Sequence, residues 1–312
     1  MSRPKKESVE FRFYEIPQSE PVLALLGESW VRVYGHEDTT LHFHNLLELG
    51  YCRRGEGVLT LDDEECRYHT SMLSVIPANY PHLTVSDGEE KNYWEYLYFD
   101  PQPVLEEMYP DNPAQQKELL SVINRGALLV NESEYPTLAG MVKNIMEEMR
   151  MHKPYYRELV ASMLHALCIE LLRTHNVHEK STWGATAHSY SSQITPALDY
   201  IMENYAKPMK AANLAEVCEM SETHFRRLFE ESINMTPMDY VNLIRIQKAC
   251  DMLRKTDYSM DEVAIRCGFP TVSTFNRNFK KFLDSSPYQW KINPENYERK
   301  LQKFQISALR GW

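Results

Sequence analysis

The chain has few cysteines and no long hydrophobic run. The six cysteines among its 312 residues, at positions 52, 66, 168, 218, 250 and 267, lack the paired spacing of zinc and redox motifs. We therefore expect reduced thiols with a packing role. Nowhere do about 18 apolar residues follow one another, and the opening segment MSRPKKESVEF contains no apolar stretch. These absences predict a cytoplasmic protein without a membrane partner.

An excess of basic charge is also missing. The formal net charge is −10, and it is unevenly divided. Residues 1–193 hold 17 Lys plus Arg against 29 Asp plus Glu, whereas residues 194–312 hold 17 against 15. We expect the acidic first part to repel nucleic acid and to leave any such binding to the second part. Because the second part is only weakly basic, we expect modest affinity, a steep salt dependence and two chains on one site.

An internal repeat lies in this second part. Three residues recur at an offset of 49 and four at an offset of 50, namely Leu214, Ala215 and Cys218, then Phe225, Arg227, Phe229 and Pro237. Each copy predicts a short helix, Leu214–Glu219 or Asp261–Cys267, followed by a tight turn and a second helix with an apolar face. This spacing indicates two helix-turn-helix units.

The second helix of each copy is expected to carry polar side chains on one face. They are Thr223, His224, Arg226 and Arg227 in the first copy, and Ser273, Asn276, Arg277, Lys280 and Lys281 in the second. Arginine can bind the major-groove edge of guanine with two hydrogen bonds, and lysine suits phosphate. A single such face is more often a solvated surface. Two of them in matched units favour sequence-specific binding of double-stranded DNA.

The segment between the copies predicts one long helix. Apolar residues keep helical spacing over residues 237–254, and no proline or glycine interrupts them. A helix of this length spans about 27 Å, close to the ~34 Å between successive major grooves on one face of DNA. One chain is therefore expected to reach two neighbouring grooves.

These residues resemble a known family. The run from Leu214 to Trp290, with a helical lead-in from Ile194, is similar to the DNA-binding domain of AraC-type bacterial transcription regulators. The resemblance is closest at the Gly268–Phe269 turn, in the F-x-R-x-F-K helix and at Ser286–Pro287. It implies base contacts from Thr223, Arg226, Arg227, Val272, Ser273, Asn276 and Arg277, and phosphate contacts from Thr271, Lys280 and Lys281. It also implies activation of a nearby operon, commonly for carbohydrate use, with RNA polymerase as a partner.

Residues 9–100 predict β-structure. Short segments rich in β-branched and aromatic residues alternate with Gly, Asp and Asn turns, which suggests a small barrel. Within them, LHFHNLLELGYCRRGEG and VIPANYPH resemble the cupin signature, with His42, His44, Glu48 and His82 as the ligand-type residues. On one strand residues 42, 44 and 48 would share a face, because the side-chain period is two. Three imidazoles and a carboxylate suit Fe, Mn, Ni or Zn.

Three interpretations of this set stay open at the sequence level. It could form a metal-free effector pocket, hold a structural or effector-assisting divalent metal, or hold a catalytic metal. We favour the effector pocket, for which no cofactor is required. Tyr51 and Tyr96 are added to it, because aromatic rings can stack on a sugar, although aromatic residues on barrel strands are more often core.

The remaining segments complete the predicted organisation. Residues 101–113 are expected to wrap the surface, and helical spacing predicts two amphipathic helices, Thr137–Met151 and Tyr155–Arg173. This helix pair either covers the barrel or forms a homodimer, and the AraC resemblance favours the dimer. The polar, aperiodic segment 175–193 is predicted to be a flexible linker. Beyond Trp290, an extra helix and a disordered end are both compatible with the sequence.

These observations predict an α+β multidomain protein. A cupin-like effector-binding and dimerisation domain would occupy residues 1–174, with a β-barrel and a helical cover. Residues 175–193 would be the linker, and residues 194–312 an all-α domain with two helix-turn-helix units joined by a long helix. The predicted function is a transcription activator controlled by a carbohydrate-related small molecule, without enzymatic activity. The alternative is a metal-dependent cupin enzyme with a DNA-binding appendage.

Overall fold

The computed structural model describes residues 10–12, 14, 16–17, 19–35, 41–61, 64–178, 190–233, 235–283 and 285–292. These residues form two compact units, one up to residue 178 and one from residue 190. The centre of the predicted linker, residues 179–189, and the tail beyond residue 292 lie outside the described residues.

The first unit is built on two β-sheets. Its described strands are β1 (Glu10–Arg12), β2 (Leu23–Leu25), β3 (Val31–Arg32), β4 (His42–His44), β5 (Leu47–Arg54), β6 (Glu56–Leu61), β7 (Glu64–His69), β8 (Met72–Ile76), β9 (His82–Ser86), β10 (Asn92–Phe99) and β11 (Leu128–Asn131). The first sheet has the order β1-β4-β9-β6-β7, and the second has the order β11-β8-β5-β10-β2, with β3 paired to the start of β10. All pairings are antiparallel except that of β1 with β4. The predicted β-rich, cupin-like fold is confirmed.

The central strand β5 separates two chemically different layers. Leu47 and Leu49 pack in the hydrophobic cluster beneath the helices. Glu48 and Gly50 point the other way, because side chains alternate along a strand. A Cβ on Gly50 would lie 2.4 Å from the Ser74 hydroxyl and 3.2 Å from the Trp94 ring. The inner layer is therefore aromatic and polar, whereas the outer layer is aliphatic.

Four helices supply the other side of the aliphatic layer. They are α1 (Pro101–Met108), α2 (Pro113–Ile123), α3 (Pro136–Met151) and α4 (Tyr156–His178). The predicted amphipathic pair is confirmed as α3 and α4, which pack against each other. Buried residues such as Val142, Ile145 and Leu164 join the cluster of the second sheet.

Residues 101–113, which are predicted to wrap the surface, form helix α1 and the start of helix α2. Pro101 and Pro113 each stand in the first turn of a helix, where a missing N–H costs nothing. The side chains of Asp100 and Asn112 cap these helices by accepting hydrogen bonds from the N–H groups of Gln102 and Gln115. Proline after Asp or Asn therefore indicated helix starts here.

The predicted linker needs correction, and one strand was not predicted. Helix α4 continues to His178, and the next helix begins at Tyr190, so the predicted linker 175–193 includes the ends of two helices. Thr174 and His175 are buried, and this packing continues the helix through a polar sequence. Strand β11 was not predicted at all, and it adds an edge to the second sheet by pairing with β8.

The second unit is helical throughout its described part. Its helices are α5 (Tyr190–Asn204), α6 (Ala211–Val217), α7 (Glu222–Ile233), α8 (Pro237–Lys255), α9 (Met260–Arg266), α10 (Val272–Leu283) and α11 (Pro287–Ile292). The two helix-turn-helix units are α6–α7 and α9–α10, as predicted, and α8 is the single long helix between them. Its 19 residues span about 28 Å.

Corresponding backbone hydrogen bonds in the two helix-turn-helix units keep the sequence offsets of the repeat. In the turns, Met220 N–H donates to the Ala215 carbonyl and Phe269 N–H to the Ala264 carbonyl, both at 2.9 Å. These pairs keep the offset of 49, whereas the bonds that open α7 and α10, from Phe225 to Ser221 and from Phe275 to Thr271, have the offset of 50. The extra residue of the second copy is therefore Pro270, in the turn.

Candidate functional site

The residues predicted to contact DNA occupy the outer faces of α7 and α10. All are exposed except Val272: Thr223, His224, Arg226, Arg227, Thr271, Ser273, Asn276, Arg277, Lys280 and Lys281. Val272 is half-buried because it packs against the cluster of the second helix-turn-helix unit. The opposite faces are core, with Phe225, Phe229, Phe275 and Phe279 fully buried. Amphipathic spacing thus separates the packing face from the face available to DNA.

On α7 both arginines already have neighbours within the helix. Arg226 donates to Glu222, with N···O distances of 2.9 Å from Nε and 2.7 Å from Nη2. Arg227 Nη2 lies 3.3 Å from His224 Nδ1. Glu222 was not among the predicted site residues, although its four-residue spacing from Arg226 was a readable signal. A carboxylate on this face could accept a hydrogen bond from cytosine N4.

On α10 the basic residues differ in their surroundings. Lys281 is paired with Asp239 of α8, at 2.5 Å between Nζ and Oδ1. The Thr271 hydroxyl caps α10 by accepting from the Thr274 N–H at 3.1 Å. Arg277 and Lys280 are exposed on the outer face.

The two faces therefore have different charge. Helix α7 contains two arginines and three glutamates, whereas α10 contains one arginine, two lysines and no acidic residue. Phosphate attraction is consequently expected to be stronger at α10.

The first unit brings three of the predicted ligand-type residues together. His44 Nε2 is 3.0 Å and His82 Nε2 is 3.6 Å from the same oxygen, Oε2 of Glu48. All three residues are buried. Within the described residues they form a group whose ligand atoms lie within 4.8 Å of one another, a spacing that one metal ion could span. His42 is not part of this group, although its ring centroid lies 4.2 Å from that of His82.

His44, Glu48 and His82 lie on different strands from those predicted. The chain bends at Asn45–Leu46, so His42 and His44 lie on β4 of the first sheet and Glu48 lies on β5 of the second. His82 stands on β9, directly opposite His42. The side chains therefore converge across the space between two sheets, and the prediction of one shared strand is wrong.

Hydrogen bonds fix both imidazole rings. His44 Nδ1 is 2.7 Å from the Leu46 carbonyl oxygen, and His82 Nδ1 is 3.0 Å from that of Tyr80. A carbonyl oxygen only accepts, so each Nδ1 carries the hydrogen and donates it. A hydrogen bond from Nε2 to Glu48 then requires the protonated ring, in which both nitrogens donate.

Burial and the neighbouring histidines shift the pKa of Glu48 in opposite directions. Burial alone would raise the pKa of Glu48, but His82 and the hydrogen bond from His44 hold this pKa well below its ordinary value. Burial lowers the pKa of His44 despite the nearby carboxylate. The pKa of His42 is also lowered, by burial and by the positive potential of His82 and Arg12.

The two predicted effector-site tyrosines lie in different layers. Tyr96 is buried in the inner layer, 6.0 Å between ring centroids from Trp94 and 5.7 Å from Trp30. Tyr51 lies on the opposite face of β5 from Glu48 and packs in the aliphatic layer, where its hydroxyl donates to Glu132. The structure therefore separates Tyr51 from Glu48, because residues 48 and 51 of a strand differ by an odd number and face opposite ways.

Two further tyrosines complete the inner layer beside Glu48. Tyr98 stands opposite Glu48 in the strand register and meets His44 edge-on at 5.2 Å between centroids. Tyr14 stacks on Tyr98 at 4.4 Å. The sequence could have placed Tyr98 in this layer, because Tyr98 is two residues from Tyr96 and therefore shares its face of the strand. No local sequence pattern indicates the position of Tyr14, because reciprocal hydrogen bonds with the Asn45 amide, 31 residues away, hold it there.

None of the helices within the described ranges has the length and apolar content that crossing a membrane requires.

Comparisons with known proteins agree with both halves of the fold. A helix-turn-helix domain model matches residues 214–292, and a model of the AraC-like ligand binding domain matches residues 32–168. Together with the paired recognition helices, these matches define a DNA-binding transcription regulator that carries a ligand-binding domain. The chain belongs to the AraC family of transcription regulators.

Relatives align with most of the chain. An uncharacterized HTH-type transcriptional regulator YfiF of Bacillus subtilis is 24% identical over 83% of this chain and 80% of its own length. The HTH-type transcriptional activator RhaR of Mannheimia succiniciproducens is 21% identical over 80% of this chain and 86% of its own length. The raffinose operon transcriptional regulatory protein RafR of Pediococcus pentosaceus is 22% identical, with coverages of 69% and 73%.

Proposed function

We propose that this regulator is a transcription activator whose affinity for an operator is set by a carbohydrate-related effector bound between the two sheets. Residues 1–174 would form the effector-binding and dimerisation domain, and residues 194–312 the DNA-binding domain. The observation that carries the proposal is the pair of matched recognition helices, each with a buried aromatic face and an exposed polar face, in one chain with an enclosed aromatic and polar layer.

DNA reading is assigned to the outer faces of α7 and α10. Ser273, Asn276 and Arg277 lie on one exposed face of α10, which suits hydrogen bonding to base edges. On α7, Arg226 and Arg227 are held by Glu222 and His224. Such partners orient a guanidinium before DNA arrives, which reduces the entropy lost on binding.

The effector is assigned to the inner layer around Tyr96, with His42, His44, Glu48 and His82 as polar groups. Aromatic rings such as Trp30 and Tyr96 offer faces on which a sugar can stack, and buried imidazoles and carboxylates can bind its hydroxyls. The relative whose name refers to a raffinose operon, and the one named an activator, support a carbohydrate effector and activation.

Homodimerisation and contact with RNA polymerase belong to the same proposal. Apolar side chains are exposed where α3 ends and α4 begins, namely Met151, Tyr155 and Leu159. A second copy would cover them, and two copies would compensate for the weak positive charge of each DNA-binding domain. An activator must in addition touch the polymerase.

The first experiment identifies the operator and the effector together. Operator fragments are selected from random DNA by the purified chain, and sugars, sugar acids and glycosides are then screened for a rise in melting temperature. We expect one compound both to raise the melting temperature and to change operator affinity, since a ligand can act only through different affinities for two states. A metal-dependent enzyme would instead convert the compound, and such turnover would contradict the proposal.

Variants assign the two sites. Arg277→Ala is expected to weaken discrimination between the operator and a one-base variant by about 10- to 100-fold, because one base contact is lost. Arg173→Ala, an exposed arginine of the first unit, is the matched control and should leave discrimination unchanged. Tyr96→Leu should weaken the effector response, whereas Tyr51→Phe, on the other face of the sheet, should not. Unaltered discrimination in Arg277→Ala would refute the assignment of α10.

A further inference from the structure

The two recognition helices carry different side chains at matched positions. Helices α7 and α10 each have 12 residues, and their buried residues correspond at the offset of 50. Glu222, the first residue of α7, corresponds to Val272, the first residue of α10. One helical turn further on, Arg226 corresponds to Asn276. A common frame therefore presents a charged pair from α7 and an uncharged pair from α10.

Glu222 and Arg226 are held together on the exposed face of α7. Arg226 Nε donates to Glu222 Oε1 at 2.9 Å, and Nη2 lies 2.7 Å from the same oxygen. The pair therefore occupies one edge of the guanidinium and leaves the edge formed by Nη1 and Nη2, which can donate two parallel hydrogen bonds. In the part of the chain that the structure describes, no group donates to the second oxygen, Glu222 Oε2. The paired side chains thus offer two donors and one acceptor side by side.

We propose that Glu222 reads a cytosine, and that α7 and α10 consequently select different base pairs. In the major groove cytosine presents the N4 amino group as a donor, whereas the polar groups of guanine and thymine only accept and repel a carboxylate. Adenine places the acceptor N7 beside its amino group, so cytosine suits a carboxylate oxygen best. The remaining edge of Arg226 matches N7 and O6 of a nearby guanine.

Position and charge support a base contact by Glu222. The N-terminal residues of a recognition helix are those that contact base edges, and Glu222 begins α7. Its side chain is 45% exposed and that of Arg226 is 46% exposed, so the ion pair adds little to the stability of the helix. A carboxylate on a DNA-facing surface also repels phosphates. A hydrogen bond to one base compensates for this repulsion there and nowhere else, which confers specificity.

The matched positions of α10 favour an A·T pair instead. Asn276 can bind N6 and N7 of adenine with two hydrogen bonds, and the half-buried Val272 presents methyl groups suited to the thymine methyl. Residues four apart on a helix have Cβ atoms about 5–6 Å apart, which is within two base-pair steps of roughly 3.4 Å. The half-site of α7 is thus expected to contain a cytosine and a guanine close together, and that of α10 an A·T pair at the corresponding place. This inference rests on the DNA-reading faces of the proposed function and needs no effector.

The test determines base preferences with the purified full chain. An operator is selected from random DNA, and affinity is then measured for every single-base variant of it. We expect two half-sites with centres about 10–10.5 base pairs apart, with the cytosine and guanine in one and the A·T pair in the other. Glu222→Gln should reduce the preference for cytosine at one position about 10-fold, because the charged acceptor is lost. Glu222→Val combined with Arg226→Asn gives α7 the residues of α10 and should replace this preference by one for adenine.

Glu230→Gln is the matched control, because it removes the same charge from an exposed position of α7 and should change no base preference. The melting temperature of each variant verifies the fold. If Glu222→Gln raised affinity for all sequences alike, Glu222 would be a repulsive charge only, and the proposal would be overturned. A chain that selects no sequence would overturn the DNA-reading faces as well. Loss of discrimination in Arg277→Ala beside unchanged base preferences in Glu222→Gln would overturn this inference alone.

Discussion

Glutamate and glycine occupy equivalent turn positions in the two helix-turn-helix units. Glu219 has φ 54° and Gly268 has φ 82°, and both follow the cysteine that ends the first helix. Both N–H groups bond to the carbonyl three residues earlier. A left-handed conformation costs a residue with a Cβ roughly 1–2 kcal/mol, whereas glycine adopts it freely. The first turn therefore carries strain that the second turn lacks.

Exchange at these two positions should have opposite effects. Glu219→Gly relieves the left-handed strain, and after the extra entropy of glycine in the unfolded chain we expect a gain of about 0.5–1 kcal/mol. Gly268→Ala introduces the same strain and places a Cβ 2.6 Å from the Ala206 carbonyl oxygen. We expect a loss of at least about 2 kcal/mol. Calorimetry of the full chain would show the melting transition of the DNA-binding unit move up in one variant and down in the other. Movement in the same direction would contradict the equivalence of the turns.

At the scale of elements, one buried carboxylate joins a helix to the second sheet. Glu95, on the outer face of β10, accepts hydrogen bonds from Arg53 of β5 at 2.8 Å and from Arg150 of α3 at 2.6 Å. The Gly27 N–H and the Tyr93 hydroxyl also donate to it. Burial alone would raise the pKa of Glu95, but these donors, Arg150 foremost, lower it to about 2.

Glu95→Gln is expected to destabilise the first unit by about 3 kcal/mol at neutral pH, because it removes the buried negative charge that Arg53 and Arg150 share. The folded pKa lies below the ordinary 4.5, so the carboxylate stabilises the fold above pH 4.5 and loses this effect as pH falls towards 2. The difference in melting temperature between wild type and variant should therefore narrow below pH 4.5. Glu147→Gln is the matched control. Glu147 pairs with the same arginines but is 52% exposed, and its loss should cost less than about 1 kcal/mol. A pH-independent difference for Glu95→Gln would contradict this account.

The elements also show which parts of the molecule are predictable from sequence. Helices α7, α8 and α10 follow from local spacing of apolar residues, and α8 begins at the predicted Pro237. The inner layer depends on pairings between distant strands, such as β4 with β9 and β1 with β4. His44, Glu48 and His82 could be recognised by residue type, but their positions on three strands could not. Tyr14 could not be found, because no local pattern encodes a contact made across the domain.

At the scale of the whole molecule, charge governs how this regulator meets DNA. The chain carries a net charge of −10, so long-range attraction to a polyanion is weak and affinity depends on a few local cations. Helix α10 supplies Arg277, Lys280 and Lys281 without an acidic residue, whereas α7 has more acids than bases. Because Lys281 is already paired with Asp239, Lys280 is the lysine of α10 that we expect to release the most counterions from DNA.

Operator affinity measured across a range of salt concentrations should reveal this inequality. Each phosphate neutralised by a cation contributes about −0.9 to the slope of log affinity against log salt. Lys280→Ala should therefore flatten the slope by about one unit. Lys281→Ala should flatten the slope less, because the Lys281 ammonium must leave the Asp239 carboxylate in order to bind a DNA phosphate. Asp239→Asn is the decisive companion, because it frees Lys281, and the slope should then become steeper than that of the wild type. Equal slopes in Lys280→Ala and Lys281→Ala, with no change in Asp239→Asn, would show that the ion pair does not compete with DNA and that α10 neutralises phosphates with both lysines alike.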